Sequence, residues 1–158
     1  MKIHTLLLAS SCSIAAAIAL LSVFPTRAED SHFGQLTFPG VTSGEGRTGG
    51  STSLPALFGN RDRDNNLCLG FGDPIPDYIL DLEEDVSQLS LQVNIGGRDT
   101  TLLVESPDQS LYCADDTELG PDAGMTRSGW KAGQYRIWVG TSEPGMSWNY
   151  TLSVQPHS

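Results

Sequence analysis

Apolar and polar residues alternate in several short runs along the second half of this chain. In residues 89–95, two leucines, a valine and an isoleucine alternate strictly with Ser, Gln and Asn. Because successive side chains of a β-strand point to opposite faces of a sheet, this period of two predicts a half-buried strand. Similar or shorter strand-like runs occupy residues 78–82, 101–104, 111–113, 135–139 and 148–154.

Turn-forming dipeptides separate these runs. They are Gly96-Gly97, Pro107-Asp108, Gly120-Pro121, Ala132-Gly133 and Pro144-Gly145. Short strands joined by such turns are typical of antiparallel sandwiches. The pattern therefore predicts an all-β protein, a single-domain antiparallel β-sandwich of jelly-roll-like form over residues 61–158, with no convincing helix.

The N-terminus has the three parts of a secretory signal peptide. Lys2 supplies a positive charge, an apolar segment follows over residues 6–24, and Ala28 offers the small residue that cleavage requires. A membrane anchor would need about 20 uninterrupted apolar residues, more than this run contains. A lipoprotein modified at Cys12 is disfavoured because Ala9 stands where a larger aliphatic residue is normally needed. We expect a signal peptide at 1–28 and a secreted, periplasmic or cell-surface protein.

Cleavage leaves a strongly acidic chain. It removes Lys2 and Arg27 from the nine basic residues, so seven basic residues face 19 acidic ones and the formal charge becomes −12. Such a surface repels nucleic acid and anionic lipid headgroups, so neither nucleic acid nor a membrane is an expected partner of the mature chain. The charge keeps the protein soluble and attracts divalent cations.

The cysteines predict one disulfide. Cys12 leaves with the signal peptide, and Cys68 and Cys113 remain as a pair in an oxidising compartment. Two free buried thiols are the alternative. A catalytic cysteine is disfavoured because the three histidines lie at positions 4, 32 and 157, outside the body of the predicted domain.

Residues 29–60 differ in composition from the rest. They are rich in Gly, Ser and Thr, most of all at 40–53, and predict a flexible segment with one strand at 33–38. Phe33, Leu36 and Phe38 are the apolar residues of that strand. Such a strand on a flexible tether is a candidate for pairing with a neighbouring molecule, and the alternative is that it completes its own sandwich.

Two groups of acidic residues are candidate calcium ligands, since calcium is bound by clustered carboxylate and carbonyl oxygens. The main candidates are Asp99, Asp115, Asp116, Glu118 and Asp122, with Asp108 as a further neighbour. The second group is the D-x-D-x-N sequence of residues 62–66, with Asp73 at the twelfth position. Leu67 stands where a calcium loop of this kind needs glycine, so a plain turn is the better interpretation.

Three tryptophans raise the question of a ligand-binding face. Trp138 is out of phase with its apolar neighbours on the predicted strand, so it points to the opposite side of the sheet. An exposed face formed by Trp130, Trp138 and Trp148 would bind a glycan or a protein. Burial, for example under a loop, is the more common outcome for such residues, because aromatic rings are the main material of protein cores.

An ordered series of short motifs resembles a known family. It comprises Cys68-Leu69-Gly70-Phe71, Pro76-Asp77-Tyr78, Asp99-Thr100-Thr101-Leu102, Pro107-Asp108, Cys113-Ala114-Asp115-Asp116 and the run from Gly133 to Gly140. The series looks like the bacterial pre-peptidase C-terminal domains and their stand-alone secreted relatives. The resemblance implies a jelly-roll-like sandwich without catalysis of its own. Members are appended to secreted proteases or exported alone, and some bind calcium.

No set of residues in this chain predicts catalysis. It has no G-x-S-x-G motif, no HExxH motif and no cluster of metal-binding histidines. We therefore expect a non-catalytic extracellular binding or structural module, with calcium as its candidate cofactor and a cell-surface protein or glycan as its partner. One alternative is a self-associating subunit of a filament or surface layer. Another is an accessory targeting module for a secreted hydrolase.

Overall fold

The computed structural model describes residues 31–156 as two β-sheets that pack against each other. The predicted signal peptide at 1–28 lies outside the described residues. The elements are β1 (Gln35–Phe38), β2 (Ser43–Arg47), β3 (Thr52–Ser53), α1 (Leu54–Phe58), β4 (Phe71–Gly72), β5 (Tyr78–Leu82), β6 (Val86–Asn94), β7 (Thr100–Glu105), β8 (Leu111–Ala114), β9 (Gly124–Trp130), β10 (Gly133–Thr141) and β11 (Asn149–Pro156). The predicted all-β sandwich is confirmed.

The first sheet is built around β10. Strands β5 and β4 pair with β10 along one side, β7 pairs along the other, and β1, β3 and β8 extend the sheet outward. The second sheet has the order β2-β11-β6-β9. Every pair of strands is antiparallel except β1 and β5, which run parallel. This pair is an exception to the predicted antiparallel pairing. After β1 the chain crosses to the second sheet as β2 and then returns to the first sheet, and a crossover connection of this kind allows two strands to run parallel.

The core lies between the sheets and consists of the alternating residues that the sequence indicates. Leu89, Leu91 and Val93 of β6 are buried, as are Ile137 and Val139 of β10. The other inward residues come mainly from β5, β7 and β11. Among the described residues, no helix is long and apolar enough to cross a membrane.

A second, smaller cluster lies on the outer face of the first sheet. Trp138 and Leu103 are buried there beneath Leu54 of α1, and the ring of Phe58 lies 4.5 Å from the ring of Trp138. The expectation of no helix is therefore wrong at 54–58. Pro55 in the first turn suits the start of this short helix. The helix covers Trp138, whose side chain points away from the main core.

Residues 31–60 contain more strands than the one that the sequence predicted. Strand β1 is present, and β2 and β3 are also paired in the two sheets. The glycines that suggested flexibility allow close packing instead. A Cβ atom at Gly44 would lie 2.7 Å from the Tyr78 ring, and one at Gly46 would lie 2.4 Å from the Tyr150 ring.

Candidate functional site

Three of the predicted calcium ligands come together at one edge of the first sheet. Asp99 lies just before β7, and Asp115 and Asp116 follow β8 directly. Because β7 and β8 are antiparallel neighbours, the beginning of one strand lies beside the end of the other. One carboxylate oxygen from each aspartate lies within 4.8 Å of the others. We call these three residues the acidic cluster.

Two buried oxygen atoms at this place lack a hydrogen-bond partner. They are Oδ1 of Asp115 and Oγ1 of Thr101, a residue with only 2% of its surface exposed. A buried polar atom without a partner is unfavourable by about 1–3 kcal/mol, so such atoms call for an explanation. Both residues line one cavity of about 390 Å³, together with Asp99. We call this cavity the acidic pocket.

The electrostatics of Asp115 are also unfavourable in the protein alone. Its burial raises the pKa of its carboxyl group, and the neighbouring charges of Asp116 and Asp99 raise it further. Hard carboxylate and hydroxyl oxygens are the donors that calcium prefers. The acidic cluster therefore fits a divalent cation of this type, whose charge would offset the repulsion.

Glu118 and Asp122 are not part of the acidic cluster. Asp122 accepts hydrogen bonds from the backbone N–H groups of Ile95, Gly97 and Arg98, at 2.9–3.3 Å, and so holds the turn after β6. Glu118 is an exposed residue in the turn between β8 and β9. The structure does not bring these two acids to the other three. Asp122 binds the backbone of the turn after β6, and the Glu118 side chain is exposed to solvent.

The side chains of Asp108 and Asp62 each stabilise a turn of the backbone. Asp108 accepts hydrogen bonds from the Ser106 hydroxyl and the Ser110 N–H. Asp62 is buried and accepts bonds from the N–H groups of Asp64, Asn66 and Cys113. Burial alone would raise the pKa of Asp62, but these bonds and one from the Asn66 amide lower it. This loop is the plain turn that the sequence favoured.

Asp73, the twelfth residue of that second candidate loop, interacts with a histidine outside the loop. Its carboxylate lies 3.0 Å from Nε2 of His32, so the loop does not bring Asp73 to the other carboxylates of residues 62–66.

The two cysteines form the predicted disulfide. The Cα atoms of Cys68 and Cys113 are 5.1 Å apart, and the bridge joins positions 45 residues apart in the chain. Cys113 lies two residues before Asp115, and Cys68 lies directly before Leu69, which lines the same acidic pocket. The bridge therefore fixes two sides of this pocket relative to each other.

The tryptophans do not form the predicted ligand face. Trp130 and Trp138 are 4% and 3% exposed, and each indole N–H donates to a backbone carbonyl, that of Arg127 and that of Pro74. Trp148 alone of the three is partly exposed, with the Arg98 guanidinium 5.1 Å from its ring centre. The burial that the sequence favoured has a different cause for each ring. Trp138 is buried because both faces of β10 are covered, one by the second sheet and the other by α1. Trp130, at the end of β9, is part of the main core.

The candidate strand-exchange segment pairs within its own chain. Leu36 is buried in the main core and lies opposite Leu80 of β5. Phe38 packs partly against the core, and Phe33 is 40% exposed. The structure thus corresponds to the alternative in which this segment completes its own sandwich.

One buried carboxylate was not identified as a candidate from the sequence. Asp77 accepts a hydrogen bond from the Val139 N–H at 2.8 Å and another from the Tyr150 hydroxyl at 2.9 Å. It therefore links the first sheet to β11 of the second. Burial raises its pKa to about 6, against the lowering effect of these bonds. The sequence signal is Pro76-Asp77-Tyr78 at the start of a strand, which shows an acid next to buried residues but not its partners.

Comparisons with known proteins find one solved structure. No protein-family model matches the chain, and no curated protein matches it. The chain is similar to the pre-peptidase C-terminal domain of a collagenase from Bacillus anthracis, with 13% sequence identity and a TM-score of 0.49. The match covers 80% of this chain and 97% of that one. This is the family that the motif order resembles, but a likeness at this level does not assign the chain to it.

Proposed function

We propose that this protein is a non-catalytic extracellular module whose loops are stabilised by a calcium ion bound at the acidic cluster. The observation that carries the proposal is the convergence of Asp99, Asp115 and Asp116 around a buried Asp115 oxygen without a hydrogen-bond partner. The module acts by binding a partner or by contributing structure, as the acidic surface and the disulfide of an exported protein favour.

The residues around the ion have distinct roles in this proposal. The three carboxylates supply the negative oxygen ligands. The ion supplies the positive charge that these oxygens lack in the protein alone. Because Asp99 comes from the start of β7 and the other two from the end of β8, the ion joins two loops at one edge of the first sheet.

The test is the effect of calcium on the melting temperature of the mature chain, residues 29–158. A ligand present at about 100 times its dissociation constant stabilises a fold by about 2.7 kcal/mol, which raises the melting temperature of a domain of this size by about 5–10 °C. We expect this rise in calcium relative to a chelator, and its loss in the double variant Asp115→Asn, Asp116→Asn. Glu118→Gln, an exposed acid in the adjoining turn, is the matched control and should keep the rise. An equal rise in the double variant would refute this site.

A second candidate function, self-assembly by strand exchange, is favoured by the position of β1. This strand lies at the edge of the first sheet and pairs with β5 as its one neighbour in that sheet. Light scattering after size-exclusion chromatography measures the mass of the mature chain. Assembly by exchange predicts oligomers that disappear when a disulfide in the variant Thr37→Cys, Asp81→Cys locks the paired strands, but persist in Thr37→Ser, Asp81→Ser. A monomer at all concentrations would exclude exchange.

A further inference from the structure

The acidic pocket is lined by two chemically different kinds of residue. Asp99, Asp115 and Thr101 carry oxygen atoms, and Pro55, Leu69 and Phe71 are apolar. Leu69 is 44% exposed, so a large apolar side chain is in contact with water at a cavity lined with carboxylates. A ligand that has both hydroxyl groups and an apolar surface matches this lining.

The pocket is held open by rigid features. The disulfide cysteines adjoin Leu69 and lie close to Asp115 in the chain. Gly70 has a φ of +97°, and a Cβ atom at this position would lie 2.1 Å from Oγ1 of Thr101. The backbone at Gly70 is therefore packed closely against Thr101, and a side chain there would clash with it. A preformed cavity of this kind lowers the entropy that binding costs.

We propose that the acidic pocket binds a neutral sugar whose neighbouring hydroxyl groups complete the coordination of the calcium ion. The sugar's apolar ring face lies against Leu69 and Pro55. This inference rests on the proposed function, because it needs the ion. Calcium takes six to eight oxygen ligands, so three carboxylates leave positions that a ligand in the pocket could fill. The volume of about 390 Å³ is near the lower end for ligand pockets and suits one or two sugar rings.

Charge selects a neutral ligand over an acidic one. Three carboxylates around a dication leave the site with one negative charge, within a mature chain of formal charge −12. Carboxylate, sulfate or phosphate groups would be repelled by this field, and an acidic peptide or a uronic acid would therefore bind poorly. A sugar hydroxyl binds the ion without adding charge.

Chemical-shift titration of the isotope-labelled mature chain tests the inference. The probes are the methyl glycosides of mannose, galactose, glucose and fucose, with methyl glucuronide as the charged counterpart of the glucoside. We expect at least one neutral glycoside to shift the amide resonances of residues 69–71 and 115–116 in calcium, and to leave them unchanged in a chelator. The glucuronide should bind at least tenfold more weakly than the glucoside where the glucoside binds.

Variants separate this inference from the proposed function. Leu69→Ser should lower the affinity for the glycoside about tenfold while the calcium-dependent rise in melting temperature remains. Leu57→Ser changes an exposed leucine of α1 that does not line the pocket, and it should alter neither. A normal rise in melting temperature without any glycoside shift would overturn the sugar site alone. Binding that persists in chelator would also overturn it, and the absence of any calcium effect would overturn both proposals.

Discussion

At the residue scale, Asp77 is the least expected feature of the molecule. A carboxylate that is 7% exposed in the core has lost most of its hydration, and two hydrogen bonds replace it only in part. The bond from the Tyr150 hydroxyl crosses from one sheet to the other. Tyr78 makes a second link of this kind, since its hydroxyl donates to the Glu45 carbonyl at 2.6 Å. Two polar groups thus fix the relative position of the sheets within an apolar core.

Asp77→Asn should change the pH dependence of stability. The pKa of Asp77 is about 6 in the folded protein, above the ordinary value of 3.8, so the folded state favours the protonated form. This contribution is fully present below pH 3.8 and is lost as the pH rises through 6. A shift of about two units corresponds to roughly 3 kcal/mol. Urea unfolding at pH 4.5 and pH 7.5 should therefore show that the neutral variant gains most relative to the wild type at pH 7.5.

The control for this prediction is Glu84→Gln, which neutralises an exposed acid in the turn after β5. It should leave the pH dependence of the wild type unchanged. The carboxyl groups of Asp62, Asp73, Asp85 and Asp108 have lowered pKa values, so their stabilisation is lost in more acidic solution for all variants alike. An Asn variant with the wild-type slope between the two pH values would contradict the assignment of this slope to Asp77.

At the scale of elements, β1 shows how one side chain fastens an edge strand. Leu36 is 1% exposed and reaches the main core, whereas the next residue toward the N-terminus, Gln35, is exposed. Leu36→Ala should lower the free energy of unfolding by about 2–5 kcal/mol, since truncation of a buried leucine leaves a cavity. Gln35→Ala should change it by less than about 0.5 kcal/mol. Urea denaturation measures both, and a loss below 1 kcal/mol at Leu36 would mean that β1 is not packed as described.

The strands with strict alternation could be predicted from the sequence, and those without it could not. Strands β6, β10 and β11 show the period of two because one side of each faces the main core. Strand β2 is hidden in the sequence because its inward positions are Gly44 and Gly46, which make room for rings supplied by other strands. Helix α1 has five residues, too few to show a helical period.

The candidate site could be predicted in part for a similar reason. Asp99, Asp115 and Asp116 adjoin two strands that are recognisable in the sequence, so their proximity follows once these strands pair. Thr101 was missed because a threonine in an apolar strand is indistinguishable from an ordinary β-branched residue. The Thr101 hydroxyl lies close to the backbone of Gly70, which is 31 positions away in the chain. Sequence spacing gives no information on such a contact.

At the scale of the whole molecule, the disulfide encloses strands of both sheets. The closed loop contains β4 to β7, of which β6 belongs to the second sheet. Replacement of Cys68 and Cys113 by serine should lower the free energy of unfolding by about 4 kcal/mol according to the chain-entropy estimate for a loop of this length. Chemical denaturation of this variant measures the loss. Wild type that has been reduced and alkylated is the comparison, and a loss below 1 kcal/mol in both would contradict the estimate.

The position of β10 and β11 sets the order in which the protein is able to fold during its synthesis. Strand β10 joins the two halves of the first sheet, and β11 lies between β2 and β6 in the second. These two strands are synthesised after all the other strands of the described residues. In a nascent chain that ends before residue 133, β5 has β1 as its partner, β4 has β3 and β7 has β8, but nothing joins these pairs into one sheet. Strand β2 has no partner until β11 emerges. Both sheets are therefore completed only after β10 and β11 have been made, so the pairings that join distant parts of the chain form late.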